Sequence, residues 1–208
     1  MTHRSRVGGM DLDLDSVRPK SGVILAVMSY GYYRGRDDMS PGARGSVGRL
    51  RVVEDMLAMH WMPTKNLLAV FPQGASKDDP MAKHSTGLGQ MMARAMQEFE
   101  ILAEVPVVCQ PMGFGTIDDV QNAVLLASCQ GYTGTEIYFV SDPVHIQRVE
   151  LIWNLLWKQD ELFRNWTPHF IASPYHNMSF RERRILEPLK RLLTPRKIQA
   201  KMKVSEVV

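Results

Sequence analysis

The sequence predicts a three-layer α/β sandwich built on a mainly parallel sheet of about five strands. Two observations carry that reading. Short apolar runs rich in β-branched residues alternate several times with longer segments of helical period. Each short run is followed by polar residues and glycines, the arrangement of strand ends that open onto a ligand site.

Residues 1–20 are polar, carry Gly8-Gly9, and read as a flexible arm with room for a short strand. Gly22 to Tyr30 is continuously apolar, as a strand buried on both faces is. A glycine-rich loop from Gly31 to about Ser46 follows, longer than most connections in compact domains. Val47 to Trp61 reads as a helix, with Leu50, Val53, Met56, Leu57 and His60 on one side. Leu67 to Phe71 is a second strand, ended by Pro72-Gln73-Gly74, and a polar loop runs from Ala75 to His84. Leu88 to Leu102 is a Met-rich helix whose methionines serve as core filler.

Val105 to Cys109 is a third strand. Thr116 to Cys129 reads as a helix that Thr116 can cap, with Asp118 and Asp119 in its first turn. Glu136 to Val140 is a fourth strand, Ile146 to Lys158 a helix, and His169 to Ala172 a fifth strand. A final helix is expected over roughly Phe180 to Leu193. The pattern is Rossmann-like. No linker or repeat interrupts it, so one domain over residues 21–195 with a basic tail over 196–208 is the economical organisation.

Composition bounds the function. The chain has 208 residues, 45% apolar and 23% charged, which is ordinary globular usage. A net charge of +3 is too small to announce a nucleic-acid binder. From Arg181 onward there are nine Lys/Arg against three Glu, which reads first as a solvated helix face and tail. Cys109 and Cys129 lie among apolar residues and are expected to be buried, reduced thiols. The longest apolar run, Val23 to Met28, is far short of the ~20 residues of a membrane span. The expected address is the cytoplasm.

Open α/β sheets bind ligands outside the carboxyl ends of their strands. Ser29, Tyr30 and Arg34 follow the first strand, and Gln73 and Gly74 the second. Gly113, Thr116, Asp118 and Asp119 follow the third, and Ser141, His145 and Arg148 the fourth. Glycines before the 116–129 helix would let backbone N–H groups approach an anion, although Asp118 and Asp119 would repel a phosphate placed there. They suit a ribose-like hydroxyl, or only the helix start. His145 and Arg148 are one helical turn apart, so His145 could act as acid or base while Arg148 holds an anion. Arg34 and Arg49 bracket the long loop and could assist. Each residue also has an ordinary structural reading, as helix cap, hydrogen-bonding histidine or solvated loop. There is no G-x-G-x-x-G after the first strand, no Walker loop and no G-x-S-x-G elbow. The His/Asp spacing demands no metal.

From Val23 to Trp153 these segments resemble the SanA/ElyC/YdcF-type family, a domain of unknown function. Arg49-Leu50 matches the arginine that opens the first helix. Pro72-Gln73-Gly74 stands at the Ser-Gly-type turn. Met112 to Val120 looks like the "Gly-Phe-Arg-Thr-x-Asp-Ser-Val" segment, and Ile137 to Arg148 like strand, Thr, three residues, His, two residues, Arg, with Ser141 for the Thr. Gly115 departs from the pattern, standing in place of an arginine, and the membrane anchor of SanA-like members is missing. The resemblance implies a Rossmann-like fold and a pocket lined by Thr116, Asp118, His145 and Arg148. It also suggests a nucleotide-like ligand such as S-adenosylmethionine, and supplies no reaction.

Three functions are therefore expected to compete, one of them an interaction protein that uses the basic C-terminal segment. Another is an enzyme acting on a polar, anionic or nucleotide-like small molecule, with His145 and Asp118 catalytic and Arg34, Arg49 or Arg148 holding the anion; transfer and hydrolysis both remain open. The third is a small-molecule-binding or regulatory protein with the same pocket and no chemistry, linked through the resemblance to cell-envelope metabolism. Nucleic acid is not expected as a partner.

Overall fold

A computed structural model describes residues 5–7, 10–12, 20–28, 46–63, 65–72, 88–110 and 115–173. Strands β1 (Ser5–Val7) and β2 (Met10–Leu12) form an antiparallel pair within the segment expected as an arm. The main elements follow in order: β3 (Val23–Val27), α1 (Ser46–Ala58), β4 (Leu67–Phe71), α2 (Leu88–Met96), β5 (Val107–Cys109), α3 (Thr116–Cys129), β6 (Glu136–Ser141), α4 (Pro143–Gln159), α5 (Glu161–Arg164) and β7 (Thr167–Ala172). The long loop after β3, the loop at 75–84, the expected last helix and the tail lie outside the described residues.

The main sheet has five strands in the order β5-β4-β3-β6-β7, every neighbouring pair parallel. The chain walks outward from β3 through β4 to β5, then returns through α3 to β6 on the other side of β3. The order reverses between β3 and β6, which makes their carboxyl ends the topological switch point.

Alternation of side chains along the strands divides the core. Ile24, Ala26, Leu68, Val70, Ile137 and Phe139 face α3 and α4. Val23, Leu25, Val27, Leu67, Ala69 and Phe71 face α1 and α2. Strands covered on both faces carry no polar side, which is why their sequences are unbroken apolar runs. The architecture is a Rossmann-like three-layer α/β sandwich, as the sequence predicts. Trp153 of α4 packs edge-on against Phe139 and Phe163, whose ring centroids lie at 5.5 and 5.2 Å, and so ties α5 into the same core.

The structure differs from the sequence reading at several element ends and at the cysteines. Helix α1 stops at Ala58 rather than Trp61, and His60, expected on its apolar side, is exposed with φ 57°; β5 starts at Val107 and β7 at Thr167. The helix α2 stops at Met96 because Gln97, Glu98 and Phe99 bond to carbonyls three residues back, tightening the chain into turns. Phe99 and Leu102 stay buried, so the apolar spacing outlasts the helix. At α4 the start moves back to Pro143, with Asp142 as N-cap. At α3 the N-cap is Gly115, which offers no side chain, and Thr116 is the first helical residue rather than the cap. Cys129 is exposed and Cys109 half-buried, because α3 turns Cys129 away from the sheet; both thiols are free.

Candidate functional site

The site begins with how α4 starts. Asp142 follows β6 in extended conformation, and its Oδ1 accepts hydrogen bonds from the backbone N–H groups of Val144 (3.0 Å) and His145 (2.8 Å). Pro143 lacks the N–H that would otherwise be left over there. This cap fixes His145 in the first turn of α4, above the end of β6.

The other carboxylate oxygen faces away from the helix. Asp142 Oδ2 accepts from Arg49 Nη2 at 2.9 Å, and both side chains are 4% exposed. Arg49 Nη1 donates to the carbonyl of Met28, just past β3. Because α1 and α4 cover opposite faces, the Arg49–Asp142 pair joins both helical layers across the sheet end. It sits at the switch point between β3 and β6. Two further backbone bonds hold the same edge: Met28 N–H donates to Val140 O (3.0 Å), and Ser173 N–H to Ser141 O (2.7 Å).

His145 is partly buried, and both of its ring nitrogens meet hydroxyls. Nδ1 lies 2.8 Å from Ser141 Oγ, and Nε2 lies 3.3 Å from Thr116 Oγ1. Thr116 reaches it because the amino ends of α3 and α4 lie side by side at the same edge of the sheet. Burial pushes the His145 pKa well below its ordinary 6.5, and the guanidinium groups of Arg148 and Arg49 act in the same direction. The ring is therefore neutral at pH 7. In that form one nitrogen donates and the other accepts.

Arg148 lies one turn beyond His145. Burial lowers its pKa while Asp142 and Asp119 oppose the effect. A guanidinium remains charged through such a shift. Its Nε is buried with no hydrogen-bond partner among the described residues. Asp119 is buried in the first turn of α3, with Asp118 partly buried beside it. The two arginines stand against three carboxylates, those of Asp118, Asp119 and Asp142, so the cluster carries no formal excess of positive charge. Its anion affinity depends on donor geometry rather than on net charge.

The structure thus brings together Arg49, Thr116, Asp118, Asp119, Ser141, His145 and Arg148. Ser29, Tyr30, Arg34, Gln73, Gly74 and Gly113 lie outside the described residues. Among the described residues, no group of His, Cys, Asp and Glu could hold a metal ion. None of the described helices is long and apolar enough to cross a membrane.

No family model matches the chain, and neither does any curated protein or solved structure compared with it. The site is therefore read from its own geometry. Gly115 adds one observation at the start of α3. It has φ 142° and ψ 178°, a region open essentially to glycine alone. A residue with a side chain at this position could not take the same path into α3 without strain.

Asp142 stands between Ser141 and His145 at the polar end of the fourth strand, where the sequence reading gives it no role of its own. Its signal was available: an aspartate before a proline, with apolar helical spacing beyond, marks an N-cap followed by a first-turn proline. Only the fold could show that Arg49, 93 residues earlier, is its partner.

Proposed function

We propose that the chain is an enzyme acting on a small polar molecule that lies over the carboxyl ends of β3 and β6. The single observation that carries the reading is the hydrogen-bonded row Ser141–His145–Thr116, a neutral histidine held between two hydroxyls at the switch point of a doubly wound sheet. Such a histidine suits proton handling or the stabilisation of charge on a reacting atom better than it suits simple packing.

In this reading His145 is the acid/base group and acts on the ligand through the Thr116 hydroxyl. Arg148 supplies charge-assisted donors to an anionic end of the ligand. Arg49 takes a different part from the one its sequence position suggested: bound to Met28 and Asp142, it positions α4 rather than the ligand. Asp118, the more exposed of the α3 aspartates, suits a ribose hydroxyl. A nucleotide-like ligand, S-adenosylmethionine among them, is thus the class of co-substrate this reading carries, and such a molecule would supply a transferable group. The resemblance to the SanA/ElyC/YdcF-type family supports the same placement.

Identifying the small molecules that copurify tests this reading. Mass spectrometry of wild-type protein should reveal a polar, oxygen-rich compound that Thr116→Val and Arg148→Met both lose and that Trp157→Ser, at an exposed position on α4, retains. Equal retention by all four proteins would remove the site from its proposed place.

A further inference from the structure

We propose that Ser141 is a positioning residue that fixes the tautomer of His145, so that the ring presents Nε2–H to Thr116 and the Thr116 hydroxyl is left to donate to an oxygen acceptor on the ligand. The inference rests on the reading of this edge as a ligand site. It adds what the ligand must place there: a hydrogen-bond-accepting oxygen, such as a carbonyl oxygen, since Asp118 and Asp119 in the same turn oppose a fully charged phosphate.

Ser141 is the last residue of β6 and is completely buried. Its hydroxyl carries one proton. Among the described residues, the acceptor within hydrogen-bond distance of that hydroxyl is His145 Nδ1, at 2.8 Å. A buried hydroxyl that gives its proton to no acceptor loses its hydration without compensation. The proton of Ser141 therefore points at Nδ1, and Nδ1 must accept it.

A neutral imidazole that accepts at Nδ1 carries its proton on Nε2. Two guanidinium groups nearby disfavour the doubly protonated ring. Nε2–H faces Thr116 Oγ1 at 3.3 Å, so Thr116 accepts there. The hydroxyl proton of Thr116 has no acceptor among the described residues, and Thr116 is only partly buried at the mouth of α3. The row is polar in one direction, from Ser141 through His145 to Thr116 and outward. The opposite direction would strand the Ser141 proton inside the core.

The chemical consequence is specific. In its resting state the row offers a hydrogen bond, not a lone pair. It stabilises negative charge on a ligand oxygen, as a neutral imidazole donor does, and it disfavours a ligand that presents an N–H or ammonium group to Thr116. The N–H groups at the start of α3, beside Thr116, favour the same polarity, while the carboxylates of Asp118 and Asp119 in that turn oppose a full negative charge.

The test reads the ring directly in the full-length protein. Long-range proton–nitrogen correlation spectra of 15N-labelled wild type should show His145 Nε2 protonated and Nδ1 bare at neutral pH. Ser141→Ala should shift the balance toward the Nδ1–H form, Ser141→Thr should restore it, and Thr116→Val should leave Nε2–H in place. A wild-type ring protonated on Nδ1 overturns the proposal, as does a tautomer balance that Ser141→Ala leaves unchanged. Should Ser141→Ala fail to fold, the wild-type and Thr116→Val spectra still decide between the two directions. A protein that needs His145 for turnover yet carries Nδ1–H would sink this inference and leave the proposed function standing.

Discussion

Arg49 and Asp142 form a buried ion pair, 2.9 Å from Nη2 to Oδ2, that joins helices on opposite faces of the sheet at the point where the strand order reverses. The carboxylate is shared between this arginine and the first turn of α4. The site's histidine is thus positioned by a residue of the opposite helical layer.

Removing one partner of a buried pair leaves the other charge uncompensated, at a cost of about 3–5 kcal/mol. Arg49→Met should destabilise the protein by that amount in urea unfolding. Asp142→Ala should cost about 1 kcal/mol more, since the α4 cap goes with it. Asp142→Asn keeps a capping oxygen and removes the charge. Its combination with Arg49→Met should cost clearly less than the sum of the two single changes, as expected for residues in contact.

The low pKa of His145 sets a sign for stability against pH. Above the ordinary value of 6.5 the ring is neutral both folded and unfolded, and its contribution is fully present. Below that value the unfolded chain takes up a proton that the folded site resists, so stability falls as pH falls toward the folded pKa. Unfolding free energies measured downward from pH 7.5, a range set at about one unit above the ordinary histidine pKa, should drop more for wild type than for His145→Gln. Parallel curves would mean that the site does not resist the proton.

Gly115 enters α3 with a φ of 142°. Gly115→Ala should cost about 1–3 kcal/mol of backbone strain. It should also move Thr116 relative to His145. The check is a loss of thermal stability together with a changed His145 ring spectrum; unchanged stability would mean that the turn relaxes freely.

The two thiols should separate by rate. Cys129 is exposed, whereas Cys109 is half-buried, burial raises its pKa, and its Sγ donates to the carbonyl of Gly89 at 3.4 Å. A disulfide reagent at pH 8, about the pKa of a free thiol, should label Cys129 first, and Cys129→Ser should abolish the fast phase.

The parts of the fold that were legible are those where one physical signal dominates. A strand covered on both faces must be apolar throughout, and Leu67–Phe71 was read to its observed limits. The α3 limits, Thr116–Cys129, are legible too, but its start is not a threonine cap: the N-cap is a glycine, and the Thr116 hydroxyl turns to His145. Signals that compete were misjudged. The apolar spacing through Phe99 and Leu102 mimics a helix because both residues are buried, while the backbone there turns with three-residue bonds. The edge of the sheet that bears the candidate residues follows from the polar strand ends, whereas the strand order that sets β3 beside β6 has no trace in the sequence. The pairing of Arg49 with Asp142, and of Thr116 with His145, depends on elements 93 and 29 residues apart and has no local trace.

The central claim is that this edge acts on a small molecule through His145. Purified wild type, His145→Gln and the surface variant Trp157→Ser, incubated with a soluble metabolite extract and followed by mass spectrometry, test it most directly. The account predicts that wild type and Trp157→Ser deplete the same polar compound and accumulate the same product, and that His145→Gln does neither while remaining folded. An extract left unchanged by wild type, or changed equally by His145→Gln, would contradict it.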